Sequence, residues 1–359
     1  MNYMKKVAVI GTVGVPANYG GFESLVENLI GGYKSTDIDY TVFCSSVDQP
    51  QQMSEYKGAK LKYIPVHANG KYAPIYDSIS MLRTIRGYDV VLMLGTAGAP
   101  FLPIFRMLTK SKIVVNIDGL DQFRGKFGKF TRWYIGWIKT IACKYADVVI
   151  SDNKGIQDFV KLTYNRDSSL IAYGGDHVLM DMLPEHQVSI LNKYNVNKSE
   201  YAISVCRIEP ENNCHIILEA FAKSSIDLVY IGNWERSEYG KQLKQKYSSY
   251  SNIHILDPIY DLEILYALRN NAKLYVHGHS VGGTNPSLVE AMFFGKPIVA
   301  YDVVYNKETT NNLAYCFKTP DDIIQSLNQL YDNGSDILKC AIENYKWQHI
   351  VNLYEQTYE

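Results

Sequence analysis

The sequence has no run of about 18 apolar residues, so we expect no segment that spans a membrane. The first apolar stretch stops at Gly11, which is too short for the core of a secretory signal. None of the six cysteines forms a Cys-x-x-Cys pair, and this argues against a zinc site or a disulfide framework and fits a reducing cytoplasm. What remains is an ordinary globular composition, 47% hydrophobic and 20% charged, over 359 residues, a length that suggests two domains.

The near absence of net charge, formally −1, conceals an asymmetry between the two halves of the chain. Residues 1–175 contain 21 Lys and Arg against 14 Asp and Glu, a formal charge of +7. Residues 176–359 contain 15 against 23, a formal charge of −8. Such a difference indicates that only the first half meets an anionic partner, although two domains can also differ this way by chance.

Short β-branched runs alternate with helical patterns throughout, which predicts parallel sheets covered by helices on both faces. We therefore expect an α/β protein with two doubly wound Rossmann-like domains that face a cleft. Residues 1–174 would form the first domain and 175–340 the second, and a C-terminal helix at 341–359 would pack back toward the first. The predicted strands are 6–10, 40–44, 61–66, 90–94, 113–117, 148–150, 201–205, 228–231, 253–256, 274–276 and 298–300.

In such sheets ligands bind at the carboxyl ends of the strands, so the loops there are the candidates. The first runs from Gly11 to Glu23 and opens a helix with Gly20 and Gly21, where free N–H groups favour an anion. It lacks the Gly-x-Gly-x-x-Gly spacing, which disfavours a nicotinamide dehydrogenase. A plain tight turn is the alternative.

The second loop follows the strand at 201–205 and carries Arg207. An arginine at this end of a strand would point into the cleft, and its planar fork suits a phosphate. An ion pair between the domains explains the residue equally well.

The third loop, 277–285, leads into a helix and is the most specific stretch of the chain. The N–H groups from Thr284 to Leu288 would form an anion cradle at the helix start. Glu290, one turn into the helix, would accept hydrogen bonds from sugar hydroxyls or else form a buried ion pair. His277 and His279 have no Asp or Cys at ligand spacing, so ordinary hydrogen-bonded histidines are favoured over metal ligands.

Together these motifs resemble the donor site of the GT-B glycosyltransferases of family 4. The resemblance rests on Arg207 with the following Glu-Pro-Glu and on the turn that leads to 286–292 (PSLVEAM). The segments 20–24 (GGFES) and 116–120 (NIDGL) are similar to a bacterial subgroup that includes β-1,4-rhamnosyltransferases of capsule and cell-wall assembly.

The sequence departs from the wider family at two positions of this site. The family usually has two glutamates eight residues apart, and here Gly282 stands at the first position while Glu290 stands at the second. The usual lysine after the arginine is replaced by Asn212. In relatives the first glutamate contacts the donor sugar, so recognition of the sugar here must rest on other groups.

The resemblance implies retaining transfer of a sugar from a nucleoside diphosphate sugar, with L-rhamnose from dTDP-L-rhamnose as the best candidate. Arg207 would bind the diphosphate, Glu290 the donor hydroxyls, and Asp118 would orient or deprotonate the acceptor from the first domain. No cofactor or metal is expected, because the single Asp-x-Asp at 37–39 precedes a strand. The implied donor-binding residues are Gly20, Gly21, Arg207, Asn212, Gly283, Thr284, Asn285, Pro286, Ser287, Leu288 and Glu290.

Residues 123–139 contain five basic residues, no acidic ones and many aromatics. The acceptor or membrane residues expected there, beside Asp118, are Lys126, Lys129, Arg132 and Trp133. A basic aromatic helix of this kind suits anionic lipid, and Lys139 would add to the charge. The alternative is a helix that packs Trp133, Trp137 and Ile141 into the core.

The expected partners are therefore a nucleotide-sugar donor, a polyprenyl-diphosphate-linked saccharide and the inner face of the cytoplasmic membrane, with no nucleic acid. The protein would be cytoplasmic and peripheral on the membrane. Two other functions stay open: a sugar-nucleotide epimerase on the same fold, and a nucleotide-binding protein without catalysis. Donor turnover with and without an acceptor separates the three.

Overall fold

A computed structural model describes residues 4–17, 20–120, 127–329 and 331–359. The chain divides into two compact units. The N-terminal unit extends to Tyr173 and also includes Trp347–Glu359, whereas the C-terminal unit is Gly174–Lys346. The last helix of the chain is therefore part of the N-terminal unit.

In the described part of the N-terminal unit, eight strands form one sheet in the order β3-β4-β2-β1-β5-β6-β7-β8. Neighbouring strands are parallel except for the antiparallel pair of β3 and β4. Strands such as β5 are buried at every residue, which explains their continuous apolar sequences. The strands are β1 (Lys5–Ile10), β2 (Ile38–Ser45), β3 (Glu55–Tyr56), β4 (Ala59–Ile64), β5 (Val90–Leu94), β6 (Lys112–Asn116), β7 (Val148–Ser151) and β8 (Ser169–Leu170).

The helices of this unit cover the sheet with their apolar stripes. In α1, for example, Leu25, Val26 and Leu29 are buried against the strands. The helices before the crossover to the second unit are α1 (Gly21–Leu29), α2 (Ala73–Arg83), α3 (Leu102–Leu108), α4 (Lys129–Tyr145) and α5 (Lys154–Tyr164).

In the described part of the C-terminal unit, six parallel strands form a sheet in the order β11-β10-β9-β12-β13-β14. Its strands are β9 (Tyr201–Val205), β10 (Asp227–Ile231), β11 (Ile253–Leu256), β12 (Leu274–His277), β13 (Ile298–Tyr301) and β14 (Tyr315–Phe317). Its helices are α6 (Pro184–Lys193), α7 (Cys214–Ala222), α8 (Glu238–Tyr247), α9 (Leu262–Asn270), α10 (Pro286–Met292), α11 (Val304–Thr309), α12 (Pro320–Gln329) and α13 (Gly334–Asn344).

Both sheets reverse their strand order once, as doubly wound folds do. The reversal lies between β1 and β5 in the N-terminal unit and between β9 and β12 in the C-terminal unit. Loops that leave neighbouring strands on either side of such a point separate and open a crevice. The predicted loops at Gly11, Arg207 and His277 begin at three of these four strands, β1, β9 and β12.

The predicted C-terminal helix is two helices rather than one. α13 ends at Asn344, and α14 (Trp347–Gln356) begins after the break at Tyr345–Lys346. Trp347, Ile350 and Tyr354 of α14 are buried in the same core as β1 and β5. The predicted fold class is thus confirmed as two Rossmann-like α/β domains. No helix in the described ranges combines the length and the apolarity needed to cross a bilayer.

Candidate active site

The loops after β9 and β12 are held together by backbone and side-chain hydrogen bonds. Ser280 donates to the Glu211 carbonyl through its backbone N–H, at 3.0 Å, and through its hydroxyl, at 2.7 Å. The Asn213 amide donates to the Gly278 carbonyl at 2.8 Å. A Cβ at Gly278 would lie 2.0 Å from the Asn212 carbonyl oxygen, so only glycine allows this contact. The two loops therefore form one rigid surface at the reversal point.

The buried side chain of Asn212 links the two loops by hydrogen bonds. Its Nδ2 donates to the Arg207 carbonyl at 2.6 Å, and its Oδ1 lies 2.6 Å from Nδ1 of His279. The side chain is buried, so Asn212 does not present its amide to a ligand as the sequence suggested. It positions Arg207 and His279 instead.

Arg207 is exposed at the carboxyl end of β9. Within its own unit and among the described residues, its guanidinium has no ion-pair partner. A charged fork held on a rigid loop is available to an anion. The predicted phosphate role stays a prediction.

The predicted amide cradle is narrower than expected. Asn285 caps α10, and its Oδ1 accepts from the Ser287 N–H at 3.0 Å. The Leu288 N–H is taken by the Asn285 carbonyl at 3.0 Å, its side chain is buried, and Pro286 has no N–H. The N–H groups of Ser287 and Leu288 are therefore hydrogen-bonded within the cap and the helix. The backbone groups that remain as candidates for anion binding belong to the preceding turn, Gly283, Thr284 and Asn285.

Glu290 forms the ion pair that the sequence left as its alternative role. Its Oε2 lies 2.7 Å from Nη2 of Arg269, whose side chain is 5% exposed. Its Oε1 lies 3.6 Å from Nε2 of His177. A carboxylate has further lone pairs, so a hydroxyl can still bind, but the pair gives Glu290 a structural role as well.

In the N-terminal unit, the loop after β1 is organised by a carboxylate that sequence reasoning passed over. Glu23 Oε1 accepts from the Thr12 hydroxyl at 3.0 Å and from the Val13 N–H at 2.9 Å. Gly20 has φ 131°, and a Cβ there would lie 1.9 Å from Glu23 Oε2. Gly20 is thus required by its backbone conformation and its close packing against Glu23, and the predicted contact of Gly20 and Gly21 with the donor stays a prediction.

Asp118 follows β6 and adopts the left-handed conformation, with φ 57°. Its N–H donates to Asn116 Oδ1 at 3.0 Å, and Asn116 Nδ2 donates to the Tyr354 hydroxyl of α14 at 2.7 Å. Asp118 does not cap α4, because Gly128 is the residue at that position. The last helix of the chain thereby fixes the loop that carries Asp118.

Asp77, a carboxylate that contacts the loop after β5, was not predicted from the sequence. Asp77 on α2 is buried, and burial raises its pKa to about 7, against the effect of a hydrogen bond from the Gly98 N–H. Among the described residues its Oδ1 has no partner. No local pattern marks it, because its environment comes from the loop after β5.

The basic aromatic segment is described from Phe127 onward, and Lys126 lies outside the described residues. Trp133 is 63% exposed and Trp137 is 44% exposed, so the alternative of a core stripe is wrong for both. The buried face is formed by Ile138, Ala142 and Cys143 instead. Lys139, expected at the lipid, is buried there with its ammonium group on the Gly119 carbonyl.

Comparison with solved structures places the fold. Sucrose-phosphate synthase from Thermosynechococcus elongatus matches with a TM-score of 0.80 at 13% identity, covering 99% of this chain and 98% of that one. HepE from Anabaena, solved with UDP-glucose, matches with a TM-score of 0.75 at 15% identity, covering 99% of each chain. The chain has the two-domain GT-B fold.

Sequence comparison supplies the class. Residues 189–347 match the family described as glycosyl transferases group 1, and residues 4–176 match a domain of unknown function, DUF1972. The α-1,3/1,6-mannosyltransferase ALG2 of Kluyveromyces lactis is 20% identical over 92% of this chain and 76% of its own length. Residues 189–347 thus match a glycosyltransferase family, and the comparisons support glycosyltransferase activity for this protein.

Proposed function

We propose that the protein transfers a sugar, with retention of configuration, from a nucleoside diphosphate sugar to a polyprenyl-diphosphate-linked saccharide in bacterial capsule or cell-wall polysaccharide synthesis. The proposal includes no metal and locates the reaction in the cytoplasm, at the inner face of the cell membrane. The observation that carries it is the exposed Arg207 on the rigid surface formed by the loops after β9 and β12.

On the donor side, Arg207 binds the diphosphate, where negative charge grows as the bond to the sugar breaks. The turn from Gly283 to Asn285 adds backbone dipoles beside it. Glu290 accepts a donor hydroxyl with the lone pairs left by Arg269 and His177. The anomeric carbon separates from the diphosphate oxygen and bonds to the acceptor hydroxyl, whose proton passes to the departing phosphate.

On the acceptor side, Asp118 orients the attacking hydroxyl. Its support for this role is its place at the end of β6 and its fixed backbone, held through Asn116 from α14. Two more carboxylates lie near the ends of neighbouring strands: Glu23 on α1, which is hydrogen-bonded to the loop after β1, and Asp152, which follows β7. Together they suit the hydroxyls of a saccharide.

The donor sugar is the least constrained element. L-Rhamnose from dTDP-L-rhamnose is our candidate on motif resemblance, while ALG2 is named a mannosyltransferase and HepE was solved with UDP-glucose. A binding screen of thymidine, uridine and guanosine diphosphate sugars, followed by turnover with and without a lipid-linked acceptor, tests the proposal. We expect nucleoside diphosphate release that depends on the acceptor. Epimerised donor without acceptor, or binding without turnover, would replace it with one of the two other functions.

The lipid nature of the acceptor is supported by one face of the N-terminal unit. Phe130, Trp133 and Trp137 of α4 are exposed at helical spacing, and the ring centroids of Phe130 and Trp133 lie 5.9 Å apart with the rings tilted. Neighbouring α3 exposes Ile104 and Met107, the latter by 86%. Apolar patches of this kind mark interaction sites.

Basic side chains border the same face. Lys129 and Arg132 on α4 and Lys110 after α3 are exposed. Each basic residue near an anionic lipid surface contributes about 1 kcal/mol, while the aromatic rings settle at the headgroup level. This surface, the α3–α4 face, would hold the protein where a lipid-linked acceptor is found.

Co-sedimentation with vesicles of anionic and of neutral lipid tests the α3–α4 face. Lys129→Glu/Arg132→Glu and, separately, Phe130→Ser/Trp133→Ser should each weaken binding to anionic vesicles at least about tenfold. Lys198→Glu/Lys273→Glu, an equal change of charge in the C-terminal unit, is the control. Equal binding by all variants, no binding by wild type, or dimerisation through this face would contradict the membrane role.

A further inference from the structure

A chain of two hydrogen bonds, Tyr354–Asn116–Asp118, joins the last helix to the loop after β6. Asn116 is the last residue of β6, and its side chain bonds in both directions. Its Nδ2 donates to the Tyr354 hydroxyl at 2.7 Å, and its Oδ1 accepts from the Asp118 N–H at 3.0 Å. Asn116 is 1% exposed and Tyr354 is fully buried. Removal of one partner would leave the other buried without a hydrogen bond, which is costly.

The direction of the Asp118 carboxylate depends on this chain of hydrogen bonds. The residue has φ 57°, in the left-handed region that few residues other than glycine, asparagine and aspartate adopt. Among the described residues, its carboxylate makes no hydrogen bond and no ion pair. The backbone therefore sets where the carboxylate points, and the Asn116 side chain holds that backbone.

The other end of the chain, on α14, is anchored independently. Lys5, the first residue of β1, donates from Nζ to the Tyr358 carbonyl at 3.0 Å. The Ser35 N–H, ahead of β2, donates to Glu355 Oε1 at 2.8 Å. The Tyr354 ring is buried in the core between these two anchors and β6. Its hydroxyl thus has a defined position from which to hold Asn116.

We infer that Tyr354 is a positioning residue for the transfer step, which directs the Asp118 carboxylate through Asn116. The inference rests on the proposed function, in which Asp118 orients the acceptor hydroxyl and the donor binds to the C-terminal unit. Loss of the Tyr354 hydroxyl should therefore lower kcat for transfer and leave donor affinity unchanged. The last helix would serve the reaction as well as the fold.

Tyr354→Phe tests this, because it removes the hydroxyl and keeps the ring that fills the core. Transfer is measured with a synthetic farnesyl-diphosphate-linked saccharide and the donor that the screen selects. We expect kcat to fall about tenfold, less than the 10²-fold that a displacement of about 1 Å costs. Affinity for UDP or dTDP in calorimetry should stay within about twofold of wild type. Hydrogen exchange of the Asp118 amide, followed by NMR, should become faster.

Two comparisons separate positioning from packing. In an Asp118→Asn background, Tyr354→Phe should cause no further loss of kcat, because both changes act through the same carboxylate. Asn116→Ser should recover part of the kcat that Asn116→Ala loses, because a serine hydroxyl can accept from the N–H two residues on. This pair also serves if Tyr354→Phe does not fold.

Tyr358→Phe is the matched control. It removes another hydroxyl from the same end of α14, one that lies 3.4 Å from the hydroxyl of Tyr40 rather than near Asn116. Transfer by this variant should stay within about twofold of wild type. An equal fall of kcat in both tyrosine variants would assign the effect to the packing of α14 and overturn the inference.

The remaining outcomes separate the inference from the function that it rests on. An unchanged kcat in Tyr354→Phe, or losses that multiply with those of Asp118→Asn, would make Tyr354 a packing residue only, while the proposed function would stand. If wild type releases no nucleoside diphosphate with any donor and acceptor, the proposed function is wrong and the inference with it, even where exchange of the Asp118 amide responds to Tyr354→Phe.

Discussion

Six strands of the N-terminal sheet, β4-β2-β1-β5-β6-β7, have the same order as the six strands of the C-terminal sheet, yet the sites of the two units carry opposite chemistry. At the carboxyl edge of the N-terminal sheet stand Glu23 and Asp118, and at that of the C-terminal sheet stand Arg207 and the His279–Asn212 pair. The formal charges of the two halves run the other way, +7 and −8. Net charge therefore describes the outer surface, such as the α3–α4 face, while a few residues at strand ends set the chemistry of each site.

Among single substitutions, the largest effect is expected at Asp118, in the site of the N-terminal unit. Asp118→Asn should lower transfer by about 10²-fold, because it removes the charged group that orients the attacking hydroxyl, and misplacement of a reacting group by about 1 Å costs this much. Asparagine tolerates the left-handed backbone, so folding should be unaffected. Nucleotide affinity should stay near wild type in titration calorimetry. The exposed Asp181→Asn is the control, and full transfer activity in Asp118→Asn would remove the residue from the site.

In the site of the C-terminal unit, Arg207→Ala should weaken nucleoside diphosphate binding about 10–150-fold, because it removes a charge-assisted hydrogen bond. Arg236→Ala, an exposed arginine of the same unit, should leave binding unchanged. An unaltered Km and kcat for the donor in Arg207→Ala would contradict the assignment.

Substitution of Glu290 should affect both the free energy of unfolding and donor affinity, because the residue forms an ion pair with Arg269 and is also a candidate donor contact. Glu290→Gln should cost about 2 kcal/mol of unfolding free energy, since it leaves the buried Arg269 without its charge partner. In an Arg269→Met background the same change should cost far less stability. If donor affinity still falls there, Glu290 touches the donor, and if it does not, the residue is structural only.

Asp77, in the N-terminal unit, should affect the dependence of stability on pH rather than donor binding. Its pKa of about 7 in the folded state exceeds its ordinary value near 4, so the folded protein holds a proton that the unfolded chain releases. The stability linked to this proton is complete below pH 4 and is lost as the pH rises through 7. Asp77→Asn, which stays neutral, should gain about 2 kcal/mol over wild type between pH 5 and pH 8 in thermal melts. An unchanged difference across that range would show that Asp77 ionises normally.

The sequence predicted the sheets well, because their strands are continuous apolar runs. β5 and β9 match the predicted ranges residue for residue. Loops at strand ends followed from the same pattern, and so did Arg207 and the start of α10. These features are local, and local patterns predict them.

Contacts between distant segments were not predictable in this way. The spacing of Trp133 and Trp137 on α4 fitted a core face as well as a lipid-facing one, and the burial of Ile138 and Ala142 instead leaves both tryptophans exposed. The roles of Glu23, Asn212 and His279 depend on partners up to 67 residues away. The side chain of Asn285 caps α10 and accepts a hydrogen bond from the Ser287 N–H, which was predicted to bind an anion.

Hydrogen exchange with and without a nucleoside diphosphate tests most directly the claim that the C-terminal site takes the donor. Protection should appear in peptides that cover 206–213 and 278–289 and should be lost in Arg207→Ala. The loop after β6 that carries Asp118 should stay unprotected until an acceptor is added. Protection confined to the N-terminal unit, with nucleotide bound, would contradict the account.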